Sequence, residues 1–361
     1  MGTEVRTGRR GFLGGVLAAG LVPKPSWADA GAPRYLSAAA RPDGRFVLCG
    51  IGEDLGVRFQ IPLPDRGHAA AAHPTRPEAV AFARRPGTFA VVIDCVSGAP
   101  KATLSAPAGR HFYGHGTFSA DGGWLFTTEN DYEAGRGRVG VWDVISSYAR
   151  AAEIDSGGIG PHDIKRLPGG DVLVVANGGI DTHPDSGRTK LNLPTMAPNL
   201  AYLEGGTVVE TAALPGEMHK NSIRHLAISD AGEVAFGMQW QGDQPVARLV
   251  GTHRRGAAMR LLETPPGAAR AMQDYVGSIA FSADAGRIAV TSPRGGVIQI
   301  FDAPRGRFER AIPSVDACGI ATEGAGFLAT AGTGLVQQVG AQGLGRPLRT
   351  DLAWDNHLVR I

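Results

Sequence analysis

Apolar residues in this chain come in short runs that alternate with polar ones or are rich in β-branched side chains. Phe89–Ile93, Val139–Asp143, Asp171–Val175, Arg287–Val290 and Val297–Phe301 are examples, each bounded by Gly, Pro, Asp or Ser. Successive side chains of a strand point to opposite faces, so runs of this length read as strands. No long stretch beyond residue 30 repeats its apolar positions at the helical period. The pattern predicts an all-β protein.

The runs recur in a fixed order. Phe118–Ala289 brackets one clear pair: Phe118-Ser-Ala-Asp-Gly-Gly-Trp matches Phe281-Ser-Ala-Asp-Ala-Gly-Arg. Ile164–Leu173, Ala227–Ala235, Ala40–Val47 and Ala321–Leu328 follow the same plan. Each reads as an inner strand, a tight polar turn with Gly, and a second strand. A third strand follows, often ending in Asp as at Asp94, Asp143 and Asp302, and then a weaker fourth such as Lys101–Leu104. Seven such units lie between Asp43 and Gly326, spaced roughly 40–60 residues apart, as four-stranded propeller blades are. The predicted fold is a seven-bladed β-propeller of four-stranded blades. The first unit lacks an obvious fourth strand, and the unassigned run His357–Ile361 is expected to join it and close the ring, which removes open sheet edges.

The first thirty residues read differently. Arg9-Arg10, then Gly11, Phe12 and Leu13, then an apolar stretch to Val22, then Ala28-Asp29-Ala30 form the ordered features of a twin-arginine signal peptide. The apolar stretch is too short for a stable anchor. Cleavage after Ala30 is expected, giving a periplasmic protein with no stable membrane anchor and one propeller domain over residues 31–361. The charge count agrees with this division. The chain has 36 Lys+Arg against 34 Asp+Glu, and residues 1–30 hold four of the former and two of the latter. The remainder is formally neutral, so no basic face is expected for nucleic acid. The three cysteines, Cys49, Cys95 and Cys318, are too few and odd in number for a disulfide framework.

Candidate chemistry lies in the histidines. His68, His115 and His162 stand 47 residues apart and fall at one place in the repeat, near the beginning of an inner strand. The equivalent positions later are Arg224 with His225 adjacent, Ser278 and Cys318, and His357 opens the closing strand. Inner strands line a propeller's channel, so these residues are expected to converge at a channel mouth. Histidine is the commonest transition-metal ligand. One reading is a site of His68, His115, His162 and His225, with His357 and Arg224 beside it, holding Fe, Cu or Zn or an anionic group. The other is that these rings only hydrogen-bond the backbone of neighbouring blades.

Two further segments stand out. Residues 177–199 interrupt the fourth unit between its second and third strands, and carry His183, Arg188 and Lys190. An insertion of this length in a compact repeat is more often functional than not. Glu129, Asn130 and Asp131 place acceptors at the end of a second strand. They read either as a ligand or cation rim or as a loop that caps itself and pairs with Arg136 or Arg138. No nucleophile elbow, phosphate loop, dinucleotide fingerprint or haem-attachment pair occurs.

These segments also carry a resemblance. Thr128–Gly137, Gly178–Leu193, Ser222–Ala227 and Pro77–Phe89 resemble signatures of the bacterial domain of unknown function 1513 family, over essentially all of the chain beyond the leader. The resemblance implies an exported propeller of the YVTN/quinoprotein-amine-dehydrogenase-like superfamily. It also implies a part in periplasmic metal acquisition, of iron above all, beside an imelysin-like partner. It supplies no catalytic residues. Two functions are therefore expected as alternatives: a non-catalytic binding protein in metal acquisition, or a metal-dependent oxidoreductase or hydrolase using the histidines.

Overall fold

The alternating runs form antiparallel strands grouped into seven sheets, the blades of a β-propeller. The computed structural model describes residues 24–84, 88–187, 189–244, 246 and 248–361. Blades 2 to 6 are each continuous in sequence, and their inner strands are Gly67–Ala72, Arg110–Phe118, Pro161–Arg166, Asn221–Ile228 and Ser278–Phe281. Blade 7 begins at Ala317–Glu323. The inner strand of blade 2, Gly67-His-Ala-Ala-Ala-Ala72, is built largely of small residues.

The core is not one centre but a set of layers between neighbouring blades. Phe82, Phe112, Leu125 and Trp142 fill the layer between blades 2 and 3. Tyr202, Ile223 and Phe236 fill that between blades 4 and 5, and Val276, Ile288 and Phe301 that between blades 5 and 6. Each such side chain contributes about 1.5–3 kcal/mol by leaving water. Among the described residues no helix is long and apolar enough to cross a membrane.

Closure is by the C-terminus, as the sequence pattern predicts, but from the inside. Ala353–Trp354 and Val359–Arg360 both pair with Tyr35–Ala40, on the side away from Phe46–Ile51. The strand before the Asp43 turn is therefore the second of blade 1, not its inner one, and the chain end supplies the inner one. The alternation alone does not distinguish the two, because Tyr35–Ala40 is buried along its length and reads alike whether its partner lies inside or outside it. Asp355 N–H to Ala38 O at 2.9 Å, Ile361 N–H to Arg34 O at 3.0 Å and Ser37 Oγ to His357 O at 2.8 Å fix the seam. Asp355 also accepts from Arg66 and Arg84 of blade 2, at 2.8 and 2.7 Å.

The Arg9-Arg10 pair and the apolar stretch to Val22 lie outside the described residues. Residues 26–32 form a turn, and Trp27 packs on the layer between blades 1 and 2 while its Nε1 donates to His73 O at 3.0 Å.

Candidate metal centre in the central channel

In five blades the inner strand loses register at one height. The breaks fall between Gly67 and Ala70, Phe112 and Gly116, Pro161 and Asp163, Ile223 and His225, and Ala317 and Ile320. His68, His115, His162, Arg224 and Cys318 sit within them. His357 lies in the corresponding gap between Ala353–Trp354 and Val359–Arg360. A bulge bends a strand and re-aims its side chains. These bulges turn residues toward the axis at one level, which explains why histidine recurs at one place in the repeat.

The five histidines do converge. Ring centroids stand 4.4 Å apart for His68 and His357, 4.5 Å for His115 and His357, 5.0 Å for His68 and His115 and for His115 and His162, and 4.9 Å for His162 and His225. Ligand atoms of His68, His115 and His357 lie within 4.8 Å of one another, as do those of His115, His162 and His225. Gly114 makes room for this. Its φ is +100°, and a Cβ there stands only 2.6 Å from His68 Cδ2.

The partners of the rings decide their chemistry. His115 Nδ1 lies 3.1 Å from Asp163 Oδ1. A carboxylate only accepts, so Nδ1 carries the proton and Nε2 presents a lone pair to the axis. His162 Nδ1 donates to Arg224 O at 2.9 Å, with the same consequence. His115 Nε2 and His68 Nε2 stand 3.2 Å apart, so one shared proton joins them when no ion is bound. Two nitrogens on one tetrahedral zinc, each at about 2.0–2.1 Å, stand about 3.3 Å apart, close to the spacing found. Among the described residues, buried His225 has no hydrogen-bond partner for either nitrogen and His357 Nε2 has none, while His68 Nδ1 comes only within 3.9 Å of Asp355 Oδ1. Leaving such a group unsatisfied costs about 1–3 kcal/mol.

Burial, aided by the positive charges beside them, holds the basicity of four of these rings down. His68 is lowered to about 4, and His162, His225 and His357 fall well below the usual histidine value. The rings are thus neutral, the form that binds metal. Asp163 and Asp355 go the other way from what burial alone dictates. Burial pushes both up, but Lys165 and His115 outweigh it at Asp163, and His68, Arg84 and Arg66 outweigh it at Asp355. Both stay ionised beside the histidines.

The remaining expected residues divide. Arg224 and Lys190 line a chamber over the histidines, together with Tyr113, Gln239 and Tyr275. Glu129 does not reach the channel: it is fully buried in blade 3 and held by both terminal nitrogens of Arg150 at 2.7 and 2.9 Å. Asp131 faces Arg110 and Arg138 at 3.3 and 3.6 Å. Asn130 Nδ2 donates to Thr182 O at 3.1 Å and so ties the insertion down. His183 accepts from Asp185 N and packs on Tyr132. These acceptors support the loop rather than a rim, because arginines on neighbouring strands claim them first. Arg188 lies outside the described residues. Ser278 Oγ accepts from Ile320 N at 3.2 Å, and Cys318 turns toward Asp316, so blades 6 and 7 add no ligand to the cluster.

The model of the family described as protein of unknown function (DUF1513) matches residues 61–361. The chain belongs to that family. Five of its blade positions that meet at the axis lie within the matched span, His357 included. Comparison with curated proteins gives no match. Among solved structures, the DUF1513 chain is similar to hydrazine synthase of Kuenenia stuttgartiensis, with a TM-score of 0.59 and 13% identity over 88% of this chain and 96% of that one. At that identity the likeness is one of fold.

Proposed function

We propose that this DUF1513 propeller binds a first-row transition-metal ion at the histidine ring in its channel, as an exported, non-catalytic binding protein in metal acquisition. The observation that carries the metal reading is the convergence of His68, His115, His162, His225 and His357, with the outer nitrogens of His115 and His162 held by Asp163 and a backbone carbonyl. Metal-ligating histidines are oriented in this way, by a carboxylate or carbonyl behind the ring. Rings that merely brace the blades would each find a backbone acceptor, and His225 finds none among the described residues. An imidazole set suits Zn, Cu, Fe or Ni. Iron is the choice that the family's expected setting favours, with an imelysin-like protein as the partner.

The test is metal analysis of protein recovered from the periplasm, with melting curves after addition of Fe, Cu or Zn. Bound metal at one ion per chain and a raised melting temperature support the reading. No bound metal and unchanged melting with all three reject it. Fractionation of the full chain with its Arg9-Arg10 pair changed to Lys-Lys tests the export route, and retention in the cytoplasm is expected. A periplasmic pull-down without an imelysin-like protein counts against that partner.

The chamber above the histidines favours a second reading, a metal-dependent oxidoreductase or hydrolase. It brings Tyr113 and Lys190 near the ring from the open side. Catalysis needs an open coordination position. Metal that is bound but never exchanges its outer ligand excludes it.

A further inference from the structure

The histidines open on the insertion side into a chamber of about 240 Å³. Its lining includes Arg84, Lys190 and Arg224 but no Asp or Glu. Arg84 is committed to Asp355 at 2.7 Å. Lys190 is not committed to an acid: its amine donates to the amide oxygen of Gln241, and no carboxylate lies within 4.0 Å of it among the described residues. Arg294 lies over the ring of Tyr275 at 4.4 Å, and Tyr275 forms the wall shared with the next recess. Burial first, then the charges of Arg224 and Arg294, hold the Lys190 amine below its usual basicity; Arg224 lines the chamber with Lys190, and Arg294 lies against Tyr275 on the side of the adjoining recess.

Like charges gathered over a half-enclosed space repel, and such a set focuses a field that draws anions in. The floor below is neutral imidazole, with His68, His162 and His225 reaching the chamber. Asp355 is engaged by Arg66 and Arg84, and Asp163 by His115, while Asp316 lines the adjoining recess and not the chamber. A cationic mouth over neutral imidazole leaves a divalent ion with no carboxylate among its expected ligands, since Asp163 stands behind His115 rather than on the axis.

We propose that this chamber takes a small oxyanion, a carboxylate or a phosphate, which Lys190 and Arg294 steer in and which serves as the non-protein ligand of the metal on the histidines. The inference rests on the proposed metal site. Arg224 shapes the same wall, but its backbone also holds His162, so it is left unchanged in the test.

Cobalt(II) provides the readout, because its visible bands report a change of ligand. Cobalt alone is titrated into wild type and into the Lys190→Gln, Arg294→Gln double variant. Malonate and inorganic phosphate are then titrated in separately at constant ionic strength, which removes simple screening effects. The double variant is expected to bind cobalt within about twofold of wild type and to lose about tenfold in anion affinity. A band shift with malonate only assigns a carboxylate, and one with phosphate only assigns a phosphate. No band shift with either anion, or equal anion affinity in the double variant, overturns the inference and leaves the metal site standing. Absence of cobalt binding by wild type overturns the metal site itself, and the inference with it.

Discussion

His115 Nε2 and His68 Nε2 face each other at 3.2 Å, and His115 is backed by Asp163 at 3.1 Å. His115 belongs to both sets of ligand atoms that lie within 4.8 Å, so it is the ring a bound ion depends on most. His115→Gln is expected to abolish the metal-induced rise in melting temperature. In wild type, metal at one hundred times its dissociation constant adds about 2.7 kcal/mol. Calorimetry with and without metal checks this, and a variant that is stabilised as wild type is would remove His115 from the site.

Asp163 is a positioning residue. Its Oδ1 meets His115, and its Oδ2 accepts from Leu226 N at 2.9 Å, which also holds it to blade 5. Asp163→Asn keeps the shape but lets the side-chain amide donate, which turns the lone pair of His115 away from the axis. Metal affinity is expected to fall about 10–100-fold. Because the variant also weakens packing, the decisive measurement is the pH dependence of metal binding. It should shift in the variant, whereas loss of packing alone would leave it unchanged.

The channel histidines also set an acid limit. Below about pH 6.5 the unfolded chain takes up protons on these rings. In the fold, His68 does so only near 4, and burial holds His162, His225 and His357 well below the usual histidine value as well. The unfolded state therefore binds more protons, and stability falls as pH falls from 6.5 to 4. His68 alone accounts for about 3 kcal/mol over that window. Denaturant titrations of metal-free protein at pH 7 and 4.5 should show the loss, and a His68→Gln variant should show less of it. A flat profile would mean that the rings are open to water.

The closing strand is testable by deletion. Removing residues 355–361 takes away the Asp355 pairs with Arg66 and Arg84, the Ile361 to Arg34 bond and the buried Leu358. The melting temperature is expected to fall by about 10 °C or more. Unchanged melting would mean that the ring does not need this seam.

Gly114 and Gly44 make a matched pair. Both have positive φ, +100° and +81°, but a Cβ at Gly114 meets the His68 ring whereas one at Gly44 meets nothing within 4 Å. Gly44→Ala is expected to lower stability by about 1 kcal/mol and to leave metal binding unchanged. Gly114→Ala should cost about 1–3 kcal/mol and weaken metal binding as well. Equal metal affinity in the two variants would show that His68 is free to shift.

The sequence by itself determined the blade repeat, the turn positions, the insertion in blade 4 and the recurrence of histidine at one place in the inner strands. All of these are written in short-range periodicity and spacing, which strands and tight turns obey locally. Only the tertiary structure decided that the chain end is the innermost strand of blade 1, because a buried strand reads alike from either side of its partner. It also decided which acids serve the site. Asp163 and Asp355 follow or precede a channel histidine by one or two residues, a signal that was present but ambiguous. Glu129 and Asp131 had the more conspicuous acidic context, yet arginines from adjacent strands hold them inside blade 3. A pairing between strands depends on the register and on bulges, and a bulge moves a side chain by one position against its pattern. That is why the histidine ring was legible along the chain, while its supporting shell and the cationic chamber above it were not.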